Sequence, residues 1–168
     1  MFAVTVNINQ LEKLRSIVGG MAKLTDANIT KITGFQFKKE TVDTIKASRS
    51  PTGVKWIPIR NRVGKPLIDT GKLIAGIDYI PTNSKAGNLV STRQYSEVHN
   101  FGKTIFAKTQ RGMIFKVLGT GGKQIWVRAQ KVVVPPRVFM VASGIPSAWQ
   151  KRAAITVTEY AKAQVDAI

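Results

Sequence analysis

Met113-Ile114-Phe115-Lys116-Val117-Leu118-Gly119-Thr120-Gly121-Gly122-Lys123-Gln124-Ile125-Trp126-Val127-Arg128 places two β-like runs on either side of a glycine-rich turn. Both arms are rich in β-branched and aromatic residues, and the Gly-Thr-Gly-Gly tip is where a chain reverses, so the stretch predicts a long antiparallel hairpin. Gly119 to Lys123 superficially resembles a phosphate loop. It lacks the Gly-x-x-x-x-Gly-Lys-Ser/Thr spacing, however, and leads into a strand instead of a helix, which favours a plain hairpin tip.

Working upstream, Tyr95, Val98, His99 and Phe101 are expected on one face of a short helix that Gly102 ends. Before it, Ile77, Tyr79 and Ile80 read as a strand closed by Pro81, and Asn83 to Asn88 as a turn into Leu89-Val90-Ser91-Thr92. Asp69 or Thr70 is expected to cap a helical turn through Leu73 and Ile74, after a Pro- and Gly-punctuated loop from Arg49 to Pro66. Asp26 is expected to cap a longer helix carrying Ile29, Ile32, Phe35, Val42 and Ile45 as far as about Ala47, weakened by Gly34. Phe2 to Ile8 alternates like a half-buried strand, and Leu11, Leu14, Ile17 and Val18 follow Asn9 at helical spacing until Gly19-Gly20. Downstream, Pro135-Pro136 breaks the chain after Val132-Val133-Val134. Ser147 then caps a last helix with Trp149, Ala153, Val157, Tyr160 and Gln164 on one stripe.

Strands and helices in this order predict an α+β domain: an antiparallel sheet with helices packed on one face, a long basic hairpin and a C-terminal helix. With 168 residues and 43% apolar composition, one domain over residues 1–168 is expected, with 103–134 a projecting insertion. No apolar run reaches a membrane span, and Met1 to Ile8 lacks the features of a secretory signal, so a soluble, unprocessed chain is expected.

Charge is the outstanding property. Twenty-six Lys and Arg face nine Asp and Glu, a net +17 that points to a polyanionic partner. No carboxylate occurs between Glu97 and Glu159, and Lys103, Lys108, Arg111, Lys116, Lys123, Arg128 and Lys131 fall in that interval. These side chains suit phosphate contacts without base reading, since no groove-reading helix or aromatic RNA motif accompanies them. A solvated charged face is the competing reading, and Trp126 fits either a polyanion contact or subunit packing.

Chemistry finds little support. Cysteine is absent, which removes disulfides, thiolate metal sites and thiol nucleophiles. The single histidine, His99, has Glu97 two residues before it, pointing elsewhere on a helix, and Tyr95 four residues before it on the same face. That is a packing pair, so neither a catalytic residue nor a metal or other cofactor is expected.

Several short stretches, taken in order, resemble the phage virion morphogenesis family, the tail completion proteins of Mu-like and related contractile-tailed phages. They are Phe37 to Ile45, Pro51-Thr52-Gly53-Val54-Lys55-Trp56-Ile57-Pro58, Leu67-Ile68-Asp69-Thr70-Gly71-Lys72-Leu73, Tyr95-Ser96-Glu97-Val98-His99-Asn100-Phe101-Gly102 and Val134-Pro135-Pro136-Arg137-Val138-Phe139-Met140. The corresponding family words run Pro-x-Gly-x-x-Trp, Leu-x-x-Thr-Gly-x-Leu, Tyr-Ala-x-x-His-x-Phe-Gly and Pro-x-Arg-x-Phe. Ser96 replaces the usual alanine, Asn100 a common glutamine and Pro136 a frequent alanine.

The resemblance implies a non-enzymatic virion component of the head-to-tail junction, in a neck, collar or tail completion and terminator position. It would form a homo-oligomeric ring, hexamer or dodecamer, around the channel for double-stranded DNA, between portal or adaptor proteins and tail-tube or tail-terminator proteins. Assembly would take place in the host cytoplasm. Trp56, Leu73, Tyr95, His99, Phe101, Arg137 and Phe139 are the matching residues expected to pack in the ring or the core. The alternative is a free, sequence-nonspecific nucleic-acid-binding protein; a hydrolase or nuclease centred on His99 with Glu97 ranks last.

Overall fold

The computed structural model describes residues 2–7, 25–59, 63–119, 122–141 and 144–166. Its described elements are β1 (Phe2–Asn7), α1 (Asp26–Lys46), α2 (Lys72–Ala75), β2 (Ile77–Asn83), β3 (Ala86–Ser91), α3 (Ser96–Phe101), β4 (Lys103–Phe106), β5 (Met113–Leu118), β6 (Gln124–Ala129), β7 (Lys131–Val134) and α4 (Ser147–Asp166). The fold is α+β, as expected. The antiparallel strands are divided among a three-stranded sheet ordered β1-β3-β2 and two ribbons, β4-β7 and β5-β6. The helix expected after Asn9 lies outside the described residues.

β3 is central because both neighbours pair with it, Tyr79 opposite Leu89 on one side and Val4 opposite Leu89 on the other. β2 runs past Pro81 to Asn83 instead of stopping there. It sits at the sheet edge, where a residue without an N–H is tolerated, and a register shift falls between Pro81 and Asn83. Ile77, Tyr79, Gly87 and Leu89 share one buried face, and α1 lies across these two strands.

α1 differs from the expected amphipathic pattern. Its buried residues include Thr30, Thr33, Gly34, Phe37, Thr41, Thr44 and Ile45, whereas Phe35 is 47% exposed. The cause is Tyr79. A side chain at Gly34 would fall within its ring, and one at Gly87 would strike the same ring from the other strand. The two glycines sandwich a buried aromatic, so α1 buries Gly34 and several threonines along with Phe37 and Ile45, and leaves Ile29 and Ile32 half-buried. Thr25, not Asp26, caps the helix, its Oγ1 accepting from Asn28 N at 3.3 Å.

α4 packs along α1 through Trp149, Ala153, Val157 and Ala161, all buried. Tyr160 is half-buried and Gln164 exposed, so the contact stripe runs along strict fourth residues instead of the expected drift to 160 and 164. Ser147 is the first helical residue; the carbonyl of Pro146 accepts from Trp149 N at 2.9 Å and Gln150 N at 3.1 Å. Between the helices, Glu40 is buried and takes both Nε and Nη2 of Arg152, a two-pronged ion pair, while Gln36 Nε2 donates to Glu40 Oε1 at 2.9 Å.

The segment joining β7 to α4 reaches the core through α3. Asn100, fully buried, accepts from the N–H groups of Phe139 at 2.9 Å and Met140 at 3.0 Å through Oδ1, and its Nδ2 donates to Met140 O at 3.3 Å. Phe139 and Met140 are thereby fixed at 0% exposure beside Ile45, Ile77 and Trp149. Full burial of each such side chain stabilises by roughly 1.5–3 kcal/mol.

Gly34→Ala should destabilise despite a helix-propensity gain of about 1 kcal/mol, because overpacking against Tyr79 costs about 3 kcal/mol. A urea midpoint raised by this change would contradict the packing described. Asn100→Ala strands two buried N–H groups and should cost about 3 kcal/mol; a loss under about 1 kcal/mol in the same titration would show that the segment does not depend on it.

Candidate subunit and nucleic-acid interface

The stretch from Pro51 to Pro58 is a tight reversal. Ser50 N donates to Val54 O at 2.7 Å, Gly53 N donates to Ser50 O at 2.8 Å, and Gly53 has φ +91°, a left-handed conformation suited to glycine. The return brings Trp56 N to Ser48 O at 3.0 Å and buries the indole. Trp56 is thus a core residue, which settles the choice between core and neighbour. Beyond it, Ile57 emerges 61% exposed.

Leu67 to Leu73 follows a similar logic. Gly71, with φ +74°, starts α2 without a side-chain cap, so the expected capping by Asp69 or Thr70 does not occur. Leu73 is buried, and Arg93 Nε donates to Lys72 O at 3.0 Å, tying α2 to the chain that leaves β3.

α3 presents the expected face of Tyr95, Val98, His99 and Phe101, but that face looks outward. Ser96 and Asn100 are the buried positions, while Tyr95 is 42% and Phe101 51% exposed. Asn100 occupies the inner side because the backbone of 139–140 needs a hydrogen-bonding partner there, and Ser96 Oγ donates to Arg93 O at 2.6 Å. Tyr95 and His99 do pack together, edge to face at 5.9 Å. Gly102 then allows a close approach: a Cβ there would lie 2.9 Å from Pro136 and from Val134 O, and its φ is +73°.

Arg137 is buried and knits these parts together. Its N–H donates to His99 O at 2.7 Å, and its Nη2 reaches Ile57 O at 3.4 Å. The result is a cavity of about 850 Å³. Ile57, Leu73, Tyr95, His99 and Arg137 contribute to its wall, and Phe115 of β5 with Val132 to Val134 of β7 closes another side. Residues spread over some eighty positions of sequence, from each of the four short words, therefore meet around one concavity. Phe139 and Leu73 lie in the core, so the exposed apolar groups lining this face include Ile57, Tyr95 and Val133.

The ribbon from 103 to 134 contains more strand than expected. β4 and β7, both missed by periodicity, pair Lys103 with Val134 through Phe106 with Lys131. The β5-β6 hairpin follows, its pairs running from Met113 with Ala129 to Leu118 with Gln124. Ala107 N to Gln130 O and Gln130 Nε2 to Gln110 O, both 2.8 Å, lock the joint between the two ladders. Lys103, Lys108, Arg111, Lys116, Lys123, Arg128 and Lys131 are all exposed. Among the described residues the ion pairs lie elsewhere, at Lys38 with Asp78, Lys85 with Asp26 and Arg152 with Glu40. Lys116 Nζ sits 4.9 Å over the ring of Trp126, which is 67% exposed.

Burial lowers the pKa of His99 below its ordinary 6.5, and the charge of Arg137 lowers it further. A folded value below the unfolded one gives stabilisation that is complete above pH 6.5 and is lost as pH falls through the folded value. Asp78, held low by the Lys38 hydrogen bond and then by Tyr79 N–H, acts only in a more acidic window, below the unfolded 3.8. The denaturant midpoint should therefore drop between about pH 7.5 and pH 5.5, and His99→Gln should flatten that drop. An unchanged slope in the variant would assign the dependence to another group. No family model, no curated protein and no solved structure matches this chain, so its functional reading rests on the cavity and the ribbon.

Proposed function

We propose that this chain is a structural subunit of a phage head-to-tail junction, in a neck, collar or tail completion position, and assembles as a homo-oligomeric ring around a passage for double-stranded DNA. The observation that carries the reading is the convergence of the four family-like words on one cavity. A ring repeats one heterologous contact until it closes, so each subunit needs a concave patch and a convex one. The cavity, with exposed Ile57 and Val133 at its mouth, supplies the concave half. Arg137 in its wall is tied to the subunit's own backbone, its N–H donating to His99 O and its Nη2 to Ile57 O, and the apolar groups beside it suit a binding surface.

A second reading, a free nucleic-acid-binding protein, draws support from the exposed cations of the ribbon. Oligomer size separates the two. Ile57→Asp and Val133→Asp replace side chains that are 61% and 66% exposed in the subunit, so folding should change by less than about 0.5 kcal/mol. Burying either charge in a ring contact should weaken assembly at least about 30-fold, equivalent to about 2 kcal/mol. Sedimentation velocity at several concentrations reads this directly. A native chain that stays at 18.4 kDa, even with its docking partner, would reject the ring; so would variants that assemble like the native chain.

A further inference from the structure

Resting on that ring reading, we infer that one face of the β5-β6 hairpin, built from Lys116, Trp126 and Arg128, is the surface that touches duplex DNA, independently of its sequence. Strand geometry divides the hairpin. Side chains alternate between faces, so Phe115, which lines the cavity, shares its face with Val117 and Val127. The opposite face carries Ile114, Lys116, Trp126 and Arg128, through the pairs Ile114 with Arg128 and Lys116 with Trp126. All four are exposed. The cavity-side face is already partly used by the subunit, and the cationic face is left for a partner.

Charge complementarity selects that partner. The chain from Val98 to Thr158 has no carboxylate, so the local field has one sign. Lys116 and Arg128 are diagonal neighbours across the ladder, about 7–8 Å apart at their bases. Both long side chains reach outward from that base, and a nucleic-acid strand offers them a regular array of negatively charged phosphates that an acidic protein surface does not repeat. Trp126, held under the Lys116 ammonium, offers a flat apolar surface to the sugar edge between those phosphates. With two point contacts and one apolar plate, the face has no donor–acceptor pattern for reading bases. Grip that is weak, repeated around the ring and released by salt permits passage of the polymer.

Trp126 also provides the assay, because Trp56 and Trp149 are buried at 9% and 4% exposure. Titrating the full chain with two unrelated duplexes at low salt should change the tryptophan emission equally for both, and Trp126→Phe should abolish the change. Lys116→Ala and Arg128→Ala should each lower the slope of log affinity against log salt by about one, for both duplexes alike. Unaltered salt slopes in both variants would overturn the assignment. So would a strong preference for one duplex, or displacement of the duplex by poly-glutamate at matched charge, which would instead indicate an acidic protein partner. Sedimentation of the same samples keeps the two ideas apart. Rings that ignore DNA defeat only this inference, whereas equal salt-slope losses in a chain that never forms rings support it and defeat the ring.

Discussion

A single carboxamide holds the architecture together. Asn100 presents an acceptor and a donor to the backbone of residues 139 and 140, the pattern a neighbouring strand would offer, at a place where none of the described strands pairs with them. Buried peptide groups cannot be left unpaired cheaply. With that demand met by a side chain, Phe139 and Met140 enter the core, Arg137 is drawn to the end of α3, and the chain is aimed toward α4. The cavity is a consequence, since α3, the loop after Trp56 and β7 are brought around the same residue. The family-like stretches thus act as anchoring points for one another.

The molecule separates its charges by function. Acidic groups are paired where α1 meets α4 and β2: Glu40 grips Arg152 and Asp78 meets Lys38. The ribbon keeps its cations unmatched by any acid in its own stretch of chain. Subunits with a net charge of +17 repel one another, so a ring of them is favoured when a polyanion occupies its centre or when salt screens the field. On this account DNA is a cargo and also helps to hold the ring together, and apolar contacts at the cavity mouth supply the directionality that charge lacks.

Much of the fold was legible in the sequence, for identifiable reasons. The β5-β6 hairpin announced itself through its glycine tip, and Gly53 and Gly102 marked turns that require positive φ. The Tyr95 and His99 pair followed from helical spacing. The buried face of α1 was not legible, because its composition answers to Tyr79, which lies more than forty residues away and demands glycine where periodicity wants isoleucine. The β4-β7 ladder is not legible for a different reason: its strands are four residues each, β4 is exposed throughout, and the Lys-Val-Val-Val of β7 alternates in burial but not in residue type. In the sequence Asn100 is a simple exchange for glutamine, and only the backbone opposite it reveals its work. The cavity was legible just as scattered words; their meeting is a tertiary fact.

The central claim is that this chain is a repeated building block with its cationic ribbon turned to DNA. An image of the junction between head and tail, at side-chain resolution, tests it most directly. The account predicts a closed ring of identical copies, neighbours seated at the mouth of the cavity, and Lys116, Trp126 and Arg128 facing the lumen. Purified particles without the chain, or a ring whose ribbons point away from the lumen, would contradict it.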